Sequence, residues 1–185
     1  MEQETLLRKV SAALEQLEIP YLITGGLAVT VWGRPRFTAD IDIVVEVSPE
    51  KAGTLAQSLQ AIGSGLVVDP QSVSEAVQVR SEFNAIDTAS GLKVDFWILH
   101  DDPFDRERMR RRVKRTVGGQ DLFFISPEDL ILVKLRWHKE SGSTRHVEDI
   151  ESIVRIQENL DRDYLQRWAT QQSTWTTLQA LLSKR

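Results

Sequence analysis

At 185 residues, with 41% hydrophobic and 27% charged side chains, the chain suffices for one domain or a core with a small appendage. A net charge of −4 gives no overall basic character of the kind that announces nucleic acid. The absence of cysteine excludes disulfides and thiolate metal sites and is compatible with a reducing compartment.

The acidic N-terminus, Met-Glu-Gln-Glu-Thr, lacks the basic start and apolar stretch of a signal peptide. No apolar run approaches the about 20 residues that span a bilayer. A soluble, cytoplasmic protein without a membrane partner is expected. In chain order, residues 3–18 predict an amphipathic helix, because Leu6, Val10, Ala13, Leu14 and Leu17 follow helical spacing. Pro20 stops it, and Tyr21–Thr24 reads as a short strand. Gly25-Gly26 turns the chain into a short helix over Leu27–Trp32, and Gly33-Arg34-Pro35-Arg36 is a loop. Asp40–Val47 is a strand rich in β-branched residues. Ser48-Pro49-Glu50 starts a helix running to about Ile62.

Residues 63–81 are weakly patterned, with a helix near 70–77. Phe83–Thr88 and Leu92–Leu99 form a hairpin about Ala89-Ser90-Gly91. Residues 103–112 are helical, and Val113–Ile125 is extended around Gly118-Gly119. Ser126-Pro127-Glu128-Asp129 then opens a purely helical stretch: a capping hydroxyl, proline at the first position and acids in the first turn. Helices are expected near 126–139, 144–158, 161–171 and 174–183. The expected organisation is an α/β core over residues 1–125 and a helical subdomain over 126–185.

The chemistry concentrates in two short segments, Thr24-Gly25-Gly26 and Asp40-Ile41-Asp42. In a strand, residues two apart share a face. Asp40 and Asp42 therefore stand side by side, about 7 Å apart at the backbone, in an otherwise apolar segment. A divalent cation relieves the repulsion between such carboxylates, and oxygen ligands favour Mg²⁺ or Mn²⁺. The alternative is that Asp40 faces solvent as the first residue of its strand and Asp42 lies on an edge. A strand–Gly-Gly–helix turn adds backbone N–H groups at a helix N-terminus, which attract phosphate. Asp95, in Lys93-Val94-Asp95-Phe96-Trp97-Ile98, completes a three-carboxylate cluster if its strand pairs beside Asp40–Val47. Such a cluster supports phosphoryl or nucleotidyl transfer through two metal ions about 4 Å apart. Asp87 on the neighbouring strand is the other candidate.

These residues resemble the nucleotidyltransferase superfamily with the polymerase-beta-like fold. The resemblance is nearer to its bacterial toxin-type branches of abortive-infection systems and to small antibiotic nucleotidyltransferases. It rests on Gly25-Gly26-Leu27-Ala28, Gly33, Arg36, Thr38 and Asp40-Ile41-Asp42, followed by Asp95. Leu130 to Leu135, carrying Lys134, and Arg145-His146-Val147-Glu148-Asp149-Ile150 are similar to later helices of those branches. The resemblance covers roughly residues 20–155. It implies an α+β fold: a mixed β-sheet core packed by helices, with a C-terminal helical appendage.

It implies a nucleoside triphosphate (NTP) bound by Gly25, Gly26, Arg36, Thr38, Lys134 and Asp149, and Mg²⁺ or Mn²⁺ bound by Asp40, Asp42 and Asp95. Asp95 is then a metal ligand, a base for the acceptor hydroxyl, or both, and the acceptor, a hydroxyl or phosphate, belongs to a small molecule or RNA. A non-catalytic module of a toxin–antitoxin-like pair, with a protein partner, is the other function the resemblance allows.

The residues themselves support a role for Lys134. Its helix is apolar almost all round, so the lysine is buried and needs an anionic partner, with Asp149, a core carboxylate and a bound phosphate as candidates. Arg34 and Arg36 flank Pro35 in a loop that suits phosphate oxygens. The run Arg106, Arg108, Arg110, Arg111, Arg112, Lys114 and Arg115 either meets a polyanion such as RNA or pairs with nearby acids such as Asp101, Asp102 and Asp105. Trp97 shares a strand face with Asp95 and is placed to line the pocket. His100, His138 and His146 lack metal-ligand spacing.

Overall fold

The computed structural model describes residues 2–63 and 65–183. Met1 of the acidic N-terminal segment, Ser64 of the weakly patterned stretch and residues 184–185 of the expected helical subdomain lie outside them. Helix α1 (Glu2–Gln16) leads into β1 (Tyr21–Ile23), α2 (Gly25–Trp32) and β2 (Asp40–Val45). A 3-10 turn at Pro49–Lys51 opens α3 (Ala52–Gln60). Then come β3 (Leu66–Val67), α4 (Pro70–Val79), β4 (Glu82–Asp87) and β5 (Lys93–Ile98). The chain continues through α5 (Pro103–Arg110), β6 (Val113–Val117) and β7 (Gln120–Phe124). It ends in α6 (Pro127–Ser141), α7 (Thr144–Ile156), α8 (Arg162–Gln171) and α9 (Trp175–Leu182). Among the described residues no helix is long and apolar enough to cross a membrane.

The strands form one mixed sheet in the order β3-β4-β5-β2-β1-β7-β6. Every residue of β1 is buried, as suits a central strand covered on both faces. β1 runs antiparallel to β2, whereas β2 and β5 run parallel in full register. This parallel pair is possible because α3, β3, α4 and β4 supply the long crossover it needs. The β4–β5 and β6–β7 hairpins match the expected ones. β3 was not expected: two residues are too few to show alternation, and they are ordered as a strand by β4, where Leu66 pairs with Asp87 and Val67 with Ile86.

Alternation decides which sheet face is open. Ile41, Ile43 and Val45 of β2 and Val94, Phe96 and Ile98 of β5 are buried. The opposite positions Asp40, Asp42, Lys93 and Asp95 remain partly accessible, and Trp97 is 37% exposed. A single cluster of buried apolar residues extends from Leu6 of α1 to Leu181 of α9.

Helix α6 is tied to α8 by polar groups as well. Ser126 caps α6 by accepting from the Asp129 N–H, and Tyr164 Oη donates to Asp129 at 2.6 Å. Burial pushes the Asp129 carboxyl above its ordinary value, opposed by those hydroxyls and by Arg111. Glu128 accepts from Arg111 and from the Asp161 backbone N–H.

Candidate functional site

The β1–β2 ladder builds the front of the site. Its antiparallel pairing continues one step beyond β1, where the Thr24 N–H donates to the Asp42 carbonyl at 2.9 Å. That bond holds the start of α2 against the strand carrying the carboxylates. Gly25 adopts φ +63°, a left-handed conformation that favours glycine. A methyl group there would also overlap the Asp42 carboxylate, and one on Gly26 would overlap Thr38. The two glycines thus let α2 and the Thr38 segment close on Asp42. Thr38 is further held by Gln3, whose Nε2 donates to its carbonyl at 3.0 Å.

Asp40 and Asp42 share one face of β2, as their spacing requires, and Asp42 pairs in register with Asp95 on β5. Burial raises the Asp42 pKa, and the charges of Asp95 and Asp40 raise it further. The Trp97 side chain and the positive charge of Lys134 oppose the rise. Asp87 lies at the far end of β4, bonded to the Ser90 hydroxyl, and is not part of this group.

Lys93 is a site residue missed in the sequence. Its Nζ lies 2.9 Å from Asp95 Oδ2. The hydrogen bond to Asp95 raises the lysine's pKa, with further contributions from the charges of Asp95, Asp40 and Asp42. The signal was present, because Lys93 sits two residues before Asp95 and alternation places both on one face.

A second cluster stands behind the first. Lys134 of α6 is 2% exposed and lies 2.7 Å from Asp149 of α7. Asp149 also accepts both arms of Arg36, Nε at 2.8 Å and Nη2 at 2.9 Å. Burial alone would raise the Asp149 pKa; hydrogen bonds from Arg36 and Lys134 outweigh it and hold the carboxyl below its ordinary value. Burial lowers the Lys134 pKa, against the pull of Asp149 and Asp42. Arg36, placed in the sequence on phosphate, is here committed to Asp149.

The arginine run is largely paired within the chain, while Arg106, Arg110 and Lys114 remain mostly exposed. Arg106 pairs with Asp101, Arg108 with Asp105, Arg110 with Glu107, Arg111 with Glu128, and Lys114 with Asp121. The Arg112 guanidinium lies over Phe123, and that of Arg115 over Trp32.

The donor set fits a hard divalent cation. Asp40, Asp42 and Asp95 offer only oxygen, and Asp42 sits in a field of like charge that a cation would relieve. The three are aligned but not gathered: among the described residues no group of three His, Cys, Asp or Glu is close enough to be a ready metal site. Lys93 holds Asp95 meanwhile.

Similarity to known structures extends over the whole fold. The antibiotic-resistance factor ANT(2'')-Ia in solution superposes with a TM-score of 0.62 at 17% identity, covering 100% of this chain and 98% of that one. A nucleotidyltransferase-like protein of Paracoccidioides brasiliensis gives a TM-score of 0.60 at 20% identity, covering 98% and 93%. The lincomycin-bound lincosamide antibiotic adenylyltransferase LnuA gives 0.55 at 16% identity, covering 85% and 98%. No curated protein matches the sequence significantly. The family model described as aminoglycoside-2''-adenylyltransferase matches residues 6–152. That span takes in the glycine turn, the three aspartates, Lys134 and Asp149, and by it the chain belongs to this family of nucleotidyltransferase enzymes.

Proposed function

We propose that the protein transfers a nucleoside monophosphate from an NTP to a hydroxyl-bearing acceptor, with Mg²⁺ or Mn²⁺ held by Asp40, Asp42 and Asp95. The observation that carries this reading is the register of β2 and β5, which sets Asp42 beside Asp95 and next to the glycine turn. A divalent cation bound there neutralises the triphosphate and lowers the pKa of the acceptor hydroxyl.

The chain's own groups do the rest. The backbone N–H groups at the start of α2 hold phosphate oxygens. Asp95 lies at the β5 edge of the site and takes the proton of the attacking hydroxyl. The acceptor oxygen forms a bond to the α-phosphorus as the bond to pyrophosphate breaks, and pyrophosphate leaves. Lys134 supplies positive charge on the Asp42 side, and Asp149 fixes Lys134 and Arg36 against each other. Thr38 packs the loop onto Gly26 so that the turn keeps its shape.

The test is release of pyrophosphate from labelled NTPs incubated with Mg²⁺ and a mixture of RNA and small-molecule acceptors. Asp40→Asn and Asp95→Asn are each expected to lower metal-dependent turnover by about a hundredfold or more, the scale of a lost proton acceptor or charge stabiliser. Unchanged circular dichroism would show that folding survives. Wild-type turnover in both variants would refute the assignment.

A further inference from the structure

The open face of the β2–β5 pair carries a cation among its carboxylates. In the parallel register Asp40 lies opposite Lys93, and Asp42 lies opposite Asp95. Alternation puts all four on one face, at the corners of a rectangle about 4.8 Å by 7 Å. The Lys93 ammonium leans along its own strand, and its Nζ lies 2.9 Å from Asp95 Oδ2. On the other side of β5, Lys93 is opposite Ile86 and Asp95 is opposite Asn84. Neither of those β4 neighbours offers a charge, so the lysine is drawn toward the site. Three carboxylates against one ammonium leave two negative charges uncompensated, which is the charge of one divalent ion.

This ion pair is easily given up. The Lys93 side chain is 41% exposed and that of Asp95 18%. A pair so open to water contributes only about 0–1 kcal/mol. The lysine stem already reaches solvent, so its head can leave without disturbing the core. A divalent ion placed between Asp42 and Asp95 gains about twice the Coulomb energy of an ammonium at the same distance. It also needs the carboxylate oxygen that Lys93 now engages, because a hard divalent cation takes its ligands through oxygen.

We propose that Lys93 is a built-in counter-ion: it holds Asp95 in the free protein and is displaced from it when Mg²⁺ or Mn²⁺ binds, so the protein's own lysine competes with the metal. The inference rests on the metal-binding reading of Asp40, Asp42 and Asp95. It adds that Lys93 is a positioning residue whose bond to Asp95 belongs to the unloaded state. A Lys93–Asp95 pair that persists beside the bound metal is the arrangement it excludes.

The test has two readouts, both on the full chain without nucleotide. Calorimetry measures Mn²⁺ binding to wild type, Lys93→Met and Lys93→Arg. Lys93→Met is expected to bind about five- to tenfold more tightly. Lys93→Arg, which restores a cation able to hold the carboxylate, is expected to stay within about threefold of wild type or to bind more weakly. The second readout follows the lysine itself in carbon-13 lysine-labelled protein, with its signal assigned by its loss in Lys93→Arg. The two ε-methylene protons of a held lysine are inequivalent, and those of a freely rotating one merge. The Lys93 signals are expected to be split in chelator and to merge at saturating Mg²⁺. A lysine acting on the metal through its charge alone would stay held. That outcome, or an affinity of Lys93→Met equal to or below wild type, overturns the proposal while the metal site stands. Mn²⁺ affinity unchanged by Asp42→Asn, or no binding by any of these proteins, defeats the metal site and the proposal with it.

Discussion

The replacement Asp42→Asn should make the metal-free protein more stable while abolishing the proposed metal-dependent transfer. Asp42 lies in register with Asp95 on an adjacent strand, and adjacent strands are about 4.8 Å apart. Two carboxylates at about 5 Å in a medium of effective dielectric near 20 repel by about 3 kcal/mol. Lys93, 2.9 Å from Asp95 and 41% exposed, offsets part of this in a screened way. About 1–2 kcal/mol of net strain is a fair figure after that discount. Asparagine keeps the shape and an acceptor oxygen but removes the charge. In a chain of this size the gain corresponds to a Tm higher by about 3–6 °C.

The sign of the pH dependence follows from the same geometry. Burial, Asp95 and Asp40 raise the folded-state pKa of Asp42 above its ordinary value. The native state then holds a proton that the unfolded chain has lost. The stabilisation this gives is complete below the unfolded pKa of about 3.9 and disappears as pH rises through the folded value. The advantage of Asp42→Asn over wild type should therefore vanish at low pH and be full at neutral pH. Scanning calorimetry in chelator across that range reads it directly. Mg²⁺ added at neutral pH should raise the wild-type Tm and leave that of the variant nearly unchanged. A variant less stable than wild type in chelator at neutral pH would refute the argument, because the carboxylate would then be stabilising in place.

The other expectations concern the parts around it. Gly25→Ala adds a methyl group at a left-handed φ and against the Asp42 carboxylate, so thermal denaturation should show a loss of about 1–3 kcal/mol together with lost turnover. Asp149→Ala leaves Lys134 buried without its carboxylate and should cost about 3–5 kcal/mol in urea denaturation. Lys134→Met should cost less, because Asp149 keeps both hydrogen bonds from Arg36; an equal or reversed order would disprove the shared-carboxylate account. Tyr164→Phe removes the hydroxyl that donates to buried Asp129 and should cost about 1–3 kcal/mol, measured in the same way.

What the sequence revealed depended on range. Alternation over Asp40–Val45 and Lys93–Ile98 needs only the chain itself, so the shared face of Asp40 and Asp42 and the nearness of Trp97 to Asp95 were readable directly. The burial of Lys134 was readable because Leu130, Ile131, Leu132, Val133 and Leu135 leave its helix no polar face. The bond between Arg36 and Asp149 spans 113 residues and depends on how α7 packs near the loop before β2. No local pattern encodes that, so the sequence points Arg36 to phosphate without revealing its bond to Asp149. Lys93 stays hidden in the sequence because a lysine at a strand start reads as solvent-facing. Only the parallel pairing with β2 brings three carboxylates to it.

The charges of the site are ordered along one direction. Asp40, Asp42 and Asp95 stand on the sheet, with Lys93 alone among them, while Lys134 and Arg36 stand behind, sharing a single carboxylate. Like charges are thus concentrated on the partly accessible sheet face and cations on the helix side, an arrangement that repulsion among the carboxylates disfavours unless a ligand completes it. A ligand that is cationic where it meets the sheet and anionic where it meets Lys134 relieves both ends at once. A divalent ion complexed with a triphosphate has that polarity, and neither component alone does. On this argument metal and nucleotide should bind with positive coupling: the affinity for Mg²⁺ measured by calorimetry should rise when an NTP is present, and Lys134→Met should diminish the coupling more than it diminishes binding of Mg²⁺ alone.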